Sequence, residues 1–225
     1  MEKNIKISMA GLNRLPKYLR ILKEKQLNNI QNISSTLIAE ELKLNPIQVR
    51  KDLALVSKTD GKPGVGFETN QLIADIEKFL GVNNSRNAII LGAGRLGQAL
   101  LNYNGFGNDV NILMAFDNEK SKCDNKKIFH INTLEKKILE KDIHIAIITM
   151  PANNAQEMCD RLVNSGIKAI WNFAPTNLKV PENIVIKNED LSTSLLILLK
   201  MWEEKSNKSY NLRRKKKLWV KLTNV

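Results

Sequence analysis

The chain has 225 residues, a net charge of +12 and two cysteines, a length that supports two modest domains or one large one. No apolar run approaches the ~18 residues of a membrane span, and the first residues lack the apolar core of a signal peptide. Cys123 and Cys159 have no metal-ligand spacing, so no membrane segment and no metal are expected, and a cytoplasmic protein with reduced thiols is. Residues 1–63 hold 12 basic and 6 acidic side chains, residues 64–205 hold 16 and 17, and residues 206–225 hold 7 and none. Basic ends on a near-neutral body point to a polyanion partner, nucleic acid first, with solubilising charge as the plain alternative.

Leu15, Tyr18, Leu19 and Leu22 follow the i, i+3, i+4, i+7 spacing of one buried helix face. Pro16 fits the first turn of that helix, and Asn28-Asn29 fits its end. Ser34-Ser35 offers the cap of a second, short helix. After Lys43-Leu44-Asn45, Asn45 can cap and Pro46 open a third helix running to about Val56. Three short helices with a tight turn between the last two form a helix-turn-helix pattern. In the third, Val49, Leu53 and Val56 point inward, leaving Gln48, Arg50, Lys51 and Ala54 outside. Gln can read adenine, Arg or Lys guanine, and Ala a thymine methyl; a merely solvated face is the alternative.

Gly61-Lys62-Pro63-Gly64-Val65-Gly66-Phe67 suits a hairpin wing that sets Lys62 near phosphates or the minor groove. Thr69 or Asn70 can cap a fourth helix with Leu72, Ile73, Ile76, Phe79 and Leu80 inward, and Gly81 can end it. The polar stretch from Val82 to Arg86 marks a domain boundary.

Ile89-Ile90-Leu91 then runs into Gly92-Ala93-Gly94-Arg95-Leu96-Gly97. A buried strand, a Gly-x-Gly-x-x-Gly turn and a helix carrying Leu96, Ala99, Leu100 and Tyr103 on its inner face are expected. Gly92 permits the turn, Gly94 the approach of a pyrophosphate, and Gly97 close packing of helix on sheet. A second strand, Val110 to Phe116, ends at Asp117, 20 positions after Gly97. That is where an acid binding the ribose hydroxyls is expected, favouring NAD(H) over NADP(H); Lys120 and Lys122 nearby weaken the exclusion of a 2′-phosphate.

The chain is irregular through Lys127, and a short helix follows Thr133. Ile143 to Thr149 reads as a buried parallel strand enclosing His144, with Met150-Pro151 at its ligand-binding end. A helix from Asn153 to Gly166 and strands at Lys168–Asn172 and Ile184–Ile186 complete a right-handed, doubly wound parallel sheet. Leu191 to Trp202 is apolar on almost every side, which calls for a partner chain and hence a dimer, with a helix tucked against its own sheet as the alternative. Arg213-Arg214-Lys215-Lys216-Lys217 lies in a basic tail expected to lack fixed structure.

These motifs together resemble the Rex family of redox-sensing transcriptional repressors. The likeness runs over about residues 8–204: Arg14-Leu15-Pro16, Ile33-Ser34-Ser35, Gln48-Val49-Arg50-Lys51-Asp52-Leu53, the wing, the glycine turn and Tyr103-x-x-Phe106. It continues through Pro151-Ala152-x-x-Ala155-Gln156, Asn172-Phe173-Ala174-Pro175 and Asp190-Leu191.

The resemblance implies an α/β chain in four parts. Residues 1–82 form a winged helix-turn-helix domain and 87–188 a Rossmann-like NAD(H)-binding domain. Residues 190–204 form a dimerisation helix exchanged between subunits, and the basic tail, 206–225, lies beyond the family's usual end. Ser35, Gln48, Arg50, Lys51 and Lys62 would face double-stranded operator DNA. Gly92 to Gly97, Asp117, Met150, Pro151, Phe173, Ala174 and Pro175 would hold NADH or NAD⁺. Arg14, Tyr103 and Asp190 would form the switch through which NADH releases the operator.

Two other readings stay open. An NAD-dependent oxidoreductase with a basic accessory domain would need an acid/base group, and only His130 and His144 offer an imidazole. A coenzyme-A-binding module fits the fold but not Asp117.

Overall fold

A computed structural model of the protein describes residues 7–82, 85–106 and 109–206. The chain divides into two compact units, Met1–Ser85 and Arg86–Val225.

In the first unit, α1 (Met9–Leu27) starts at Ser8, whose side chain accepts from the Gly11 amide at 3.1 Å. Pro16 therefore lies inside α1 and not in its first turn. It costs the helix one backbone bond, and the buried side chains of Leu15, Tyr18, Leu19 and Leu22 hold the helix through it. β1 (Asn32–Ile33), α2 (Ser35–Leu42) and α3 (Pro46–Val56) follow. Ser34 caps α2 and Asn45 caps α3, each by accepting a backbone N–H. Val49, Leu53 and Val56 of α3 are buried against α1 and α4 residues in one core.

β2 (Phe67–Glu68) pairs antiparallel with β1, Ile33 opposite Phe67. Just before it, Lys62 and Gly66 exchange backbone hydrogen bonds of 2.8 Å, making the wing's tip a tight loop. α4 (Thr69–Leu80) is capped by Glu68, not by Thr69 or Asn70. The Glu68 carboxylate accepts from the amides of Asn70 and Gln71, and a full charge at a helix start is a stronger acceptor than a hydroxyl. Gly81 ends α4 in the left-handed conformation.

The second unit runs β3 (Arg86–Leu91), α5 (Arg95–Leu101), β4 (Val110–Asp117), β5 (Ile128–His130), α6 (Leu134–Lys141) and β6 (Ile145–Ile148). It continues with α7 (Ala152–Asn164), β7 (Ala169–Asn172), β8 (Val185–Asn188) and a last helix, α8 (191–206). The six strands are all parallel in the order β5-β4-β3-β6-β7-β8. Strand order reverses between β3 and β6, and ligands in such sheets bind outside the carboxyl ends at that point. Alternate residues of β3 face opposite cores, Ile89 and Leu91 on one side and Ile90 on the other.

Several expectations are corrected here. β5 is an unexpected strand: it begins just after the irregular stretch that ends at Lys127, with only Ile128 and Phe129 as an apolar signal. His144 is exposed, because β6 begins only at Ile145 and Ile143 fills the core before it. α5 buries Gly97 and Leu101 and packs Leu100 against the core, whereas Leu96 and Ala99 are exposed, and the helix ends before Tyr103, which is exposed too. α8 reaches residue 206, two residues past its expected end.

Leu191, Leu195, Leu196, Ile197, Leu198, Leu199, Met201 and Trp202 of α8 are all exposed. The basic run from Arg213 to Lys217 lies outside the described residues. Among the described residues no helix is long and apolar enough to cross a membrane, and no cluster of three potential metal ligands occurs. Burial, with the nearby Asp160 charge, pushes the Cys159 thiol up to about 11, so it is inert as a nucleophile.

Candidate nucleotide site and nucleic-acid interface

The turn after β3 is built from backbone contacts that only glycine permits. Gly92 has φ +101°, a left-handed conformation strained for other residues. A Cβ added to Gly97 would lie 1.9 Å from the Gly92 carbonyl oxygen, so α5 rests directly on the turn. The Thr149 hydroxyl, at the end of β6, donates to that same carbonyl at 2.7 Å. Gly94 differs: a Cβ there would meet nothing within 4 Å, so its backbone borders open space.

Asp117 ends β4 beside this turn, and it is buried. Its Oδ2 accepts from the Ala93 amide at 2.8 Å and from Lys122 Nζ at 3.2 Å, and its Oδ1 accepts from the Glu119 amide at 3.0 Å. Burial pushes its carboxyl up, but the donors from Glu119, Ala93 and Lys122 outweigh that and hold it below the usual carboxylate range. Asp117 is thus a fixed anion. Lys122 is shared with Glu119 at 2.6 Å and partly neutralises it.

Turn and acid open onto a cavity of about 700 Å³. Gly92, Gly94, Asp117, Met150 and Pro151 line it, and Phe116, Ile131 and Met158 give it an apolar wall. That volume suits a nucleotide half of a cofactor. Ala93 and Gly97 are buried and shape the turn from behind, while Arg95 and Leu96 are exposed at the start of α5. Phe173, Ala174 and Pro175 follow β7 and do not line this cavity. Asn172, fully buried, holds their loop: it accepts from the Ala174 amide at 2.9 Å and donates to Thr176 O and Asn188 Oδ1.

In the first unit, Ser35, Arg50 and Lys62 line one groove of about 560 Å³ between the start of α2, α3 and the wing. Ala54, Gly64 and one acid, Asp60, share it. Gln48 and Lys51 are exposed on α3 outside that groove. Asp52, on the same helix, is buried and gathers Arg14, Tyr18 and Gln48. Arg14 donates to it through Nε at 2.6 Å and Nη2 at 2.9 Å, Tyr18 through its hydroxyl at 2.7 Å, and Gln48 through Nε2 at 2.9 Å.

The three residues expected to form the switch each have partners within their own unit. Arg14 is held by Asp52 as described. Tyr103, exposed, stacks edge-on against Phe106 with ring centroids 4.9 Å apart. Asp190 caps α8, accepting from the Ser192 and Thr193 amides and from the Thr193 hydroxyl. His130 ends β5 opposite Asp117, whereas His144 stands before β6, at the amino edge of the sheet.

Sequence comparison decides the family. A redox-sensing transcriptional repressor Rex of Treponema denticola is 42% identical over 193 residues, 84% of this chain and 91% of the relative. The corresponding Rex of Thermoanaerobacter pseudethanolicus is 40% identical over 200 residues, 87% of this chain and 89% of the relative.

The chain belongs to the Rex family.

Family models agree in part: "CoA binding domain" matches residues 83–176 and "Putative DNA-binding protein N-terminus" residues 6–54. Solved Rex-family structures fit the whole fold. The repressor RSP in complex with β-NAD⁺ and operator DNA superposes with a TM-score of 0.81 at 37% identity, covering 92% of this chain and 97% of that one. RSP in complex with β-NADH gives 0.81 at 35% identity, covering 91% and 98%. Within this Rex chain, Thr149, Lys122, Asn172 and Asp52 were not singled out from the sequence as site residues. Lys122 sits five places after the ribose acid, and Asp52 is a charged residue on a face otherwise apolar, so both carried a local signal.

Proposed function

We propose that this Rex chain is a homodimeric transcriptional repressor that senses the NADH/NAD⁺ ratio. The first unit binds an inverted-repeat operator and the second binds the nicotinamide cofactor. NADH binding favours a dimer that no longer holds the operator. One observation carries the reading: a glycine turn locked to a buried acid, opening on a nucleotide-sized cavity, in the same chain as a helix-turn-helix unit with a basic groove.

Gly94 and Asp117 would hold the pyrophosphate and ribose, with the apolar wall taking adenine. The loop after Pro151 and Phe173-Ala174-Pro175 would meet the nicotinamide end. Oxidised nicotinamide is positively charged and reduced nicotinamide is not, so the cofactor changes the field felt by nearby ion pairs. Arg14, Tyr103 and Asp190 are the groups assigned to read that change. The bare apolar faces of α8 support a dimer, since a helix exposed on every side is stable only when covered.

The protein acts by binding and not by catalysis, in the cytoplasm where the cofactor pool and the chromosome meet. His144 gives an enzyme no acid/base group at the site, since it stands at the edge of the sheet away from the glycine turn. A fluorescence titration with NADH, paired with a footprint on the operator, tests the whole reading. It predicts one NADH per chain and two symmetric protected half-sites that disappear as NADH saturates. Saturable NADH binding with an unchanged footprint would refute it.

A further inference from the structure

Asp52 has four donors and four acceptor positions. Its Oδ1 accepts from Arg14 Nη2 and Gln48 Nε2, and its Oδ2 from Arg14 Nε and Tyr18 Oη, at 2.6 to 2.9 Å. A carboxylate offers about four lone-pair sites, so this one is saturated. Of its partners only Gln48 is exposed; Tyr18 is fully buried and Arg14 mostly so. The carboxylate thus ties the α1–α3 packing to one side chain on the outer face of α3.

We propose that Asp52 is a positioning residue that sets which base Gln48 accepts. An ionised carboxylate only accepts, so the amide nitrogen of Gln48 must face it; turned over, oxygen would meet oxygen. The bond consumes one of the two N–H groups of that amide. One N–H and the carbonyl remain, a donor beside an acceptor, and that pair matches N7 and N6 of adenine. Guanine shows two acceptors, O6 and N7, in the same groove. A free Gln could serve it with both N–H groups, and Gln48 held by Asp52 has only one to give. Asp52 therefore acts against guanine without touching DNA.

Arg14 and Tyr18 make the arrangement rigid. Burial pushes the Asp52 carboxyl up, but the bonds from Arg14, Tyr18 and Gln48 outweigh it and keep the group ionised. The inference rests on the first unit being the DNA-binding one.

The test uses the full-length protein and a set of operators with single base-pair changes in both half-sites. Gln48→Ala locates the base pair read by residue 48 as the one whose preference disappears. At that pair the wild type is expected to prefer A·T over G·C by about tenfold or more. Asp52→Asn can donate to the Gln48 carbonyl, which frees both N–H groups. It is expected to bring the preference within about twofold, and Gln48→Ala on top of it to change nothing further. The salt dependence of binding stays that of the wild type. An unchanged preference in Asp52→Asn, or an equal loss on every operator, would overturn the proposal.

A second measurement, independent of the stability of Asp52→Asn, uses the wild type alone. In its side-chain amide spectrum, assigned with Gln48→Ala, one Gln48 N–H proton should be shifted from its ordinary free-glutamine position and slow to exchange. Two protons at the ordinary positions of a free glutamine amide, both exchanging freely, would overturn the proposal. No operator binding by the wild type, with the protected proton present, would strike the DNA-binding reading and take the base preference with it.

Discussion

The Ala93 amide donates to the Asp117 carboxylate at 2.8 Å, which joins the turn after β3 to the end of β4 as one element. The acid expected at the ribose is thus also a brace for the loop expected at the pyrophosphate. A change at Asp117 therefore acts twice, on the cofactor and on the turn.

Asp117→Asn keeps the shape and removes the charge. Charge-assisted hydrogen bonds contribute about 1.5–3 kcal/mol, so NADH affinity should fall about tenfold or more. The preference for NADH over NADPH should narrow too, since Lys122 would then face a 2′-phosphate without its acid. Titration of NADH and NADPH fluorescence on both proteins measures each effect. Equal NADH affinity in the variant would remove Asp117 from the site.

Gly97→Ala tests the seat of α5. A methyl group 1.9 Å from the Gly92 carbonyl oxygen forces the helix off the turn. Overpacking of this kind costs about 1–3 kcal/mol, enough to lower Tm by several degrees in a chain of this size. Calorimetry should record that loss together with loss of NADH binding. A variant that melts and binds as the wild type would mean that α5 is not held against Gly92.

These two glycines and Asp117 were legible because each follows from chain-local chemistry: turn conformation, close approach, and an acid at a fixed distance along the sequence. The helix-turn-helix was legible for a like reason, since Ser34, Asn45 and Pro46 mark helix starts within their own few residues. What escaped was set by distant partners. Asp52 meets Arg14 and Tyr18 from 38 and 34 residues away, and Thr149 reaches Gly92 across 57. Pro16 was placed at a helix start because local preference favours it there, yet Ser8 and a buried face extended α1 past it. Leu96 and Ala99 fit the apolar period of α5 but lie outward, because the close seat of Gly97 on Gly92 turns the Leu100 and Leu101 side of the helix to the core.

Asp52 also predicts an acid response. Its carboxyl is held below the usual range in the folded protein, so the unfolded chain binds the proton more readily. The stability it contributes is present above the ordinary carboxylate range and is lost as pH falls toward its folded value. Protection of the α1 and α3 amides, taken relative to intrinsic exchange at the same pH, should therefore fall on acidification below about pH 4, the ordinary range for Asp. In Arg14→Ala the same amides should exchange faster already at neutral pH, because an unpaired buried charge costs about 3–5 kcal/mol. Protection unaffected by either change would mean that the pair does not stabilise the unit.

In the proposed reading α8 carries the dimer. Leu195 and Leu199 lie one turn apart and both are exposed. Replacing both, Leu195→Glu with Leu199→Glu, should give monomers in sedimentation velocity. Operator affinity should fall about 100-fold, because two linked half-site contacts become independent. A double variant that still sediments as a dimer would place the interface elsewhere.

The central claim is that reduced cofactor alone releases the operator. The direct measurement is fluorescence anisotropy of a labelled inverted-repeat operator held by the protein at fixed salt, with NADH, NAD⁺ and NADPH added separately. Salt is fixed because phosphate contacts make affinity steeply salt-dependent. Near-complete release needs the two dimer states to differ by about 5.5 kcal/mol in NADH affinity. The account predicts that NADH returns the anisotropy to that of free DNA while NAD⁺ and NADPH leave it high. Anisotropy that stays high at saturating NADH would contradict it.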